Sequence, residues 1–349
     1  MTCEIRQQSQ VDAGKWDEFV LSNSMGWAYF LHEKIGVDRY VSYTNLSFAI
    51  VDRDNDDEIL LVQQLHRTNN HPVLSKLRLA REKLTSRWGY VLKDNLPKKH
   101  FRKVKECYEA YIDDYIWDHH IKRFTLDLAP LSQFSLENKS GVNPAIFLSF
   151  TPRIRYTYVV DLSKPDDKML ADCEETTRQA VRKIEASGKY EIVKAGPNEE
   201  DCRTFIELHK ETYTRTHDRS DIKADSYHET IFYKFIPAGF CEVYFLKDKE
   251  SSVVMSTVAV LIYKNTAYYW WGDSRNELEV GANKYLLFKI ICMLRERFGK
   301  TGYFETGGAY PHLRGGKYKG LNDFKKCFGT FLMPIYQGTY NKLYHKRRG

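Results

Sequence analysis

A chain of 349 residues, 42% hydrophobic and 28% charged, holds enough apolar material for a full core and enough length for two domains. No apolar run reaches the roughly 18 residues of a spanning helix, and the start Met1-Thr2-Cys3-Glu4-Ile5-Arg6 lacks the basic and apolar regions of a signal peptide. The net charge of +7 favours anionic partners such as nucleotide diphosphates, RNA or anionic membrane surfaces. Seven singly placed cysteines without a Cys-x-x-Cys pair argue for reduced thiols in the cytoplasm and against a disulfide framework or a zinc site.

Trp16, Phe19 and Val20 sit on an amphipathic helix behind the capping-type Asp12, and a Gly26 loop follows. Strand-like runs at 46–51 and 59–64 flank the turn 52–57. Pro97 opens a helix through Tyr115, basic at its start, and 123–128 alternates as a strand that ends at Pro130. The polar stretch 131–143 reads as a linker. Beyond it come a strand at 155–161, one long helix from Ser163 and Pro165 to Ala186 stopped by Gly188, and a strand at 190–193. Helices at 199–213 and 226–235 precede a meander of strands at 241–246, 253–262 and 266–271. An apolar helix at 281–298 and a strand at 303–305 follow. The predicted class is α/β (α+β): 1–150 forms one domain, 151–330 a second built on a mixed sheet covered by helices, and no internal repeat is visible.

The motif richest in chemistry is Gly302-Tyr303-Phe304-Glu305-Thr306-Gly307-Gly308-Ala309, followed by Gly320-Leu321-Asn322-Asp323-Phe324-Lys325-Lys326-Cys327-Phe328-Gly329. It reads as a strand ending in glycines, a polar loop and a short helix. Glycines let a backbone approach a ligand closely, and an acid at a strand end faces the same ligand as a lysine on the helix. The pattern resembles the C-terminal signature of the Fem peptidoglycan-bridge aminoacyltransferases, which are built on the GNAT fold. The resemblance also takes in the Trp16/Phe19/Gly26 opening, the 157–162 strand and the 178–183 helix, and is weak over 66–120. No long helical hairpin follows 178–183, so the chain looks more like the compact FemX type than the types with a coiled-coil arm.

The resemblance implies two GNAT-like domains, each a mixed sheet flanked by helices, with a cleft between them and with 331–349 packing back on the first. It implies transfer of an aminoacyl group from aminoacyl-tRNA to an amine of a nucleotide- or lipid-linked cell-envelope precursor, without a cofactor. Lys325 then stabilises the transition state or leaving group, with Phe324 packed beside the reacting groups. The plainer alternative is an exposed helix lysine beside a buried phenylalanine. Glu305 stands where many Fem-like chains carry Asp, and orients an amine or Lys325, or caps the loop. Asp127 matches loosely an acid that binds the acceptor amine, and Lys34 a lysine near the acceptor diphosphate. Lys223 and Tyr227 keep the spacing of an Arg and Tyr that grip anionic groups of the acceptor. Lysine there retains the point charge and loses the bidentate fork. Arg215 is a second phosphate ligand in this reading. Gly307 and Gly308 bring backbone to the substrate.

In Tyr268-Tyr269-Trp270-Trp271, strand alternation sends Tyr269 and Trp271 to one face, as core or as the wall of a groove for a sugar ring or peptide. The stretch 275–283 carries one glycine and two acids where coenzyme-A-dependent enzymes hold a pyrophosphate, which weighs against that donor. An N-acyltransferase of an amino sugar or other small amine, using acyl-CoA, remains the alternative. A non-catalytic nucleic-acid or envelope-binding protein is the alternative from another class. The basic run 98–105, Lys122-Arg123 and the tail 345–348 are candidates for contact with RNA or a membrane surface. His119-His120 lacks partners at metal spacing, so no metal is expected.

Overall fold

The structure, a computed structural model, describes residues 1–37, 43–68, 82–216, 224–310, 312, 315 and 317–340. The chain divides into two compact units, Met1–Arg155 with the chain from Pro334, and Tyr156–Met333. Lys223 and the basic tail 345–348 lie outside the described residues.

In the first unit, β1 (Cys3–Gln7), β3 (Phe48–Asp52), β4 (Glu58–Gln63) and β7 (Tyr90–Leu92) form an antiparallel sheet in the order β1-β3-β4-β7. β2 (Tyr43–Asn45), β5 (His66–Thr68), β6 (Lys83–Ser86) and β8 (Arg123–Asp127) line up as β8-β6-β5-β2, with β6 and β8 parallel. The α-helices among the described residues are α1 (Ala13–Ser22), α2 (His32–Val37), α3 (Lys98–Asp118) and α4 (Gln133–Glu137). Asp12 caps α1 by accepting from Lys15 N, and Trp16, Phe19 and Val20 are its buried face. On α3, Val104, Tyr108, Ile112 and Ile116 recur every fourth residue and are all buried. The short strands β5, β6 and β7 were not foreseen. The expected linker 131–143 contains α4, capped by Ser132.

The second unit holds β9 (Thr151–Asp161), α5 (Asp166–Asp172), α6 (Glu175–Ser187), β10 (Tyr190–Lys194), α7 (Glu199–Thr216), α8 (Asp225–Thr230), β11 (Cys241–Asp248), β12 (Val254–Tyr263), β13 (Thr266–Ser274), α9 (Ala282–Phe298), β14 (Tyr303–Ala309) and α10 (Lys317–Lys326). β15 (Phe331–Tyr340) closes the described chain; the division between the units falls within β9 and within β15. The strands run in the order β10-β11-β12-β13-β14-β9, antiparallel except for β13 beside β14. Leu286, Leu287, Ile290, Ile291 and Leu294 of α9 pack with Val181 and Ile184 of α6 against Val258, Val260 and Ile262 of β12. Each such side chain contributes roughly 1.5–3 kcal/mol by burial. The single helix expected over 163–186 is instead α5 and α6. Cys173 is extended between them, and Glu174 N donates to Cys327 O across 3.0 Å, an off-axis bond that a continuous helix cannot make.

β13 and β14 pair only through Thr266–Tyr268 and Tyr303–Glu305. Beyond those residues each strand continues without pairing to the other. α10 packs on β14 at this divergence, so strand geometry alone opens a wedge at the end of β14.

Candidate functional site

Glu305 is the last β14 residue paired to β13, and it is 2% exposed. Thr157 Oγ1 donates to its Oε1 across 2.7 Å, while Oε2 has no hydrogen-bond partner among the described residues. Burial raises its pKa to about 7, partly opposed by the Thr157 hydrogen bond and the Lys325 charge. After Glu305 the register against β9 shifts by one residue. The extra residue, Thr306, donates to the Lys325 and Tyr158 carbonyls, which ties the bulge to the last turn of α10.

Gly307 follows with φ +104, a conformation that glycine adopts without a Cβ penalty. A Cβ there would sit 2.8 Å from Lys325 Nζ and 3.2 Å from its Cε, so the lysine lies along bare backbone. Burial lowers the Lys325 pKa, and Glu305 acts in the opposite direction. The neighbouring Lys326 is an exposed partner of Glu174 at 3.5 Å. The two adjacent lysines are thus physically different, and Lys325 is the one that points inward to a buried carboxyl. Asn322 Oδ1 accepts from Tyr310 N at 2.7 Å and joins α10 to the strand end.

Phe324 lies against Phe328 and, at 6.2 Å between ring centroids, against Tyr269. Tyr269, Phe324, Thr257, Val258, Gly272 and Asn283 line a pocket of about 180 Å3. Here the expected alternation of the aromatic strand is corrected. Val260 pairs with Tyr269 and Ala259 with Trp271, which leaves Trp270 as a bulge. Val260 and Ala259 face opposite sides of the sheet, so Tyr269 and Trp271 do too. Tyr269 packs on the α9 core, whereas Trp271 meets His209 of α7 and Tyr227 of α8.

The remaining predicted residues are placed as follows. Tyr227 is buried among Trp270, Trp271 and His228. Arg215 donates to the carbonyl and hydroxyl of Ser274 at 3.2 and 3.3 Å, so its guanidinium holds the end of β13. Gly308 pairs with Thr157 on β9, near the Tyr310 ring. In the first unit, Asp127 accepts from Arg155 at 2.5 Å and from Gln337, which accounts for its carboxylate structurally. Lys34 is buried, with its ammonium 5.2 Å from the Tyr29 ring centroid. Among the described residues no three His, Cys, Asp or Glu side chains converge as a metal site, and no helix is long and apolar enough to cross a membrane.

Sequence reasoning missed the fully buried pair of His209 Nδ1 and Asp273 Oδ2, 3.4 Å apart. A lone His on a helix and an Asp at a strand end, 64 residues apart, give no local signal. It also missed Thr157, whose hydroxyl matters only because β14 returns beside β9.

Residues 171–325 match the family described as acetyltransferase (GNAT) domain. The chain carries a GNAT acyltransferase domain. That span includes Glu305, Gly307, Phe324 and Lys325. Over its whole length the chain is similar in fold to FemX, with a TM-score of 0.65 at 17% identity, covering 99% of this chain and 98% of that one. It is also similar to L-PGS from Bacillus licheniformis, with a TM-score of 0.57 at 11% identity over 95% of this chain and 92% of that one. A tandem GNAT protein from the clavulanic acid biosynthesis pathway gives 0.53 at 11% identity over 97% and 98%. No curated protein matches the chain in sequence. The expected mixed α/β architecture is thus found, with GNAT-like neighbours along the whole chain.

Proposed function

We propose that this protein transfers an aminoacyl group from aminoacyl-tRNA to an amine of a nucleotide- or lipid-linked cell-wall precursor, without a cofactor and in the cytoplasm. The observation that carries the reading is the Glu305–Lys325 arrangement at the divergence of β13 and β14. It joins a buried carboxyl, one oxygen of which has no hydrogen-bond partner among the described residues, with a half-buried ammonium laid along Gly307, and the residue before that lysine, Phe324, lines a pocket with Tyr269.

In the proposed step the acceptor amine attacks the carbonyl carbon of the donor ester. The new C–N bond forms, the C–O bond to the ribose breaks, and the proton leaving the amine ends on the ribose oxygen. The carbonyl oxygen carries negative charge in between. Lys325 supplies positive charge there, in a site drier than water, where such stabilisation is strongest. Glu305, poised near pH 7 and with no hydrogen-bond partner for Oε2 among the described residues, takes the amine proton and returns it to the leaving oxygen. Phe324 and Tyr269 seat the acyl group.

The whole-chain likeness to FemX supports the choice of donor and acceptor. So does the α9 N-terminus. Lys183 occupies Glu279 at 2.7 Å, and a Cβ on Gly281 would lie 2.7 Å from Ala180, so α6 crowds the place where a pyrophosphate would need open backbone. A second reading, an N-acyltransferase of an amino sugar or other small amine using acyl-CoA, is favoured by the acetyltransferase domain itself. Transfer from purified charged tRNA with and without ribonuclease, beside transfer from acyl-CoA, separates the two. The first reading predicts activity that ribonuclease abolishes. Activity that survives ribonuclease and runs on acyl-CoA establishes the second.

A further inference from the structure

We propose that Thr306 is a positioning residue whose hydroxyl sets the place of Lys325 relative to Glu305 for the transfer step. The proposal rests on the reading of Glu305 and Lys325 as the transferase pair. It adds what fixes their geometry, and it holds for either acyl donor.

Thr306 is the residue that the bulge in β14 inserts, since Glu305 pairs with Val159 and Gly307 with Tyr158. It stands between the acid and the glycine that bares its backbone to the Lys325 ammonium, and it is fully buried. Its Oγ1 lies 2.9 Å from the Lys325 carbonyl oxygen and 3.3 Å from that of Tyr158. A hydroxyl has one proton to donate, and the shorter distance gives it to Lys325.

The end of a helix leaves carbonyls without helical partners, and α10 satisfies them from several directions. Cys327 Sγ donates to Phe324 O at 3.0 Å, Thr330 Oγ1 to Lys326 O at 3.1 Å, and Glu174 N to Cys327 O just past the helix at 3.0 Å. Of these donors and Thr306, only Thr306 belongs to β14. Its bond therefore ties the backbone of the lysine to the strand that carries Glu305, at the very next residue. The Asn322 bond to Tyr310 N holds α10 one turn earlier and just past the end of β14, so it leaves this distance to Thr306.

Valine has the shape of threonine with a methyl in place of the hydroxyl. A methyl carbon keeps about 3.3–3.6 Å from a carbonyl oxygen, against the 2.9 Å that the hydroxyl allows. With valine at 306 the last turn of α10 retreats by about half an ångström. A misplacement of about 1 Å costs on the order of 10²-fold in rate, so this retreat costs about tenfold.

The test is single-turnover transfer with two probe pairs: bulk charged tRNA with a UDP-linked muramoyl pentapeptide, and acetyl-CoA with glucosamine. With the pair that the unaltered chain uses, Thr306→Val should slow the step about tenfold and leave the half-saturating donor concentration within about twofold. Thr306→Ser keeps the hydroxyl and should stay within about threefold of the unaltered rate. In a Lys325→Met chain, where no ammonium is left to place, Thr306→Val should cost less than about twofold. A general loosening of the fold would slow both chains alike. Thr306→Ala removes the hydroxyl without adding a methyl and supplies the same comparison if Thr306→Val does not fold. An unaltered rate in the variant that lacks the hydroxyl, an equal loss in the Lys325→Met chain, or a Thr306→Ser variant as slow as Thr306→Val overturns the positioning role and leaves the transferase reading intact. No transfer by the unaltered chain with either pair overturns the transferase reading and this role with it.

Discussion

Glu305→Gln should make the protein more stable at pH 8 and nearly inactive. In the native chain burial raises the Glu305 carboxyl from 4.5 to about 7. The folded state therefore holds a proton that the unfolded chain releases as pH rises through 4.5. The stability that this group contributes is fully present below about pH 4.5, declines up to about pH 7, and is gone above it. A shift of this size corresponds to about 3 kcal/mol, with most of it lost between pH 5 and pH 8. Glutamine does not titrate and still accepts the Thr157 hydrogen bond, so the variant lacks the decline. Urea unfolding of both proteins at pH 5 and pH 8 should show the variant gaining about 2–3 kcal/mol relative to wild type between the two. Lys325 lowers the Glu305 pKa, so Lys325→Met should move the wild-type decline to higher pH. A difference between variant and wild type that is the same at both pH values refutes the assignment of a protonated, buried Glu305.

Thr157→Val removes a hydrogen bond that lowers the Glu305 pKa, so the acidic limb of the kcat profile should move to higher pH, at a stability cost of about 1 kcal/mol. Gly307→Ala combines φ +104 with a Cβ 2.8 Å from Lys325 Nζ; it should lower stability by roughly 1–3 kcal/mol in urea titrations and cut turnover at least tenfold. Lys98 and Lys99 are exposed at the start of α3, and Lys103 reaches the Met1 carbonyl at 2.9 Å. Neutralising all three should flatten the fall of transfer activity with salt if this surface holds tRNA, and an unchanged slope removes it from the donor site.

The strands and helices with strong periodicity were legible in the sequence: α1 behind its Asp12 cap, α3 with its four-residue spacing, and the β11–β13 meander. The short strands β5, β6 and β7 were not, because three or four residues carry too little pattern and owe their state to their neighbours. The break between α5 and α6 was hidden because its cause, the Cys327 carbonyl, lies far along the chain. Lys325 could be singled out from its motif, but its difference from Lys326 appears only when Gly307 and Glu305 stand beside it. The faces of Tyr269 and Trp271 were misread because one bulged residue inverts a two-residue period. Lys34, Arg215 and Asp127 carry charges of the expected kind, and the structure shows the neighbours that use them: the Tyr29 ring, Ser274, and the pair Arg155 and Gln337.

The central claim is that Lys325 and Glu305 act together on the acyl group. Single-turnover transfer from charged tRNA, measured for wild type, Lys325→Met, Glu305→Gln and the double variant, tests it most directly. The account predicts that Lys325→Met slows the step roughly 10²–10³-fold with little change in donor affinity, and that the double variant is about as slow as the slower single one. Wild-type rates in Lys325→Met, or losses that simply multiply in the double variant, would contradict it.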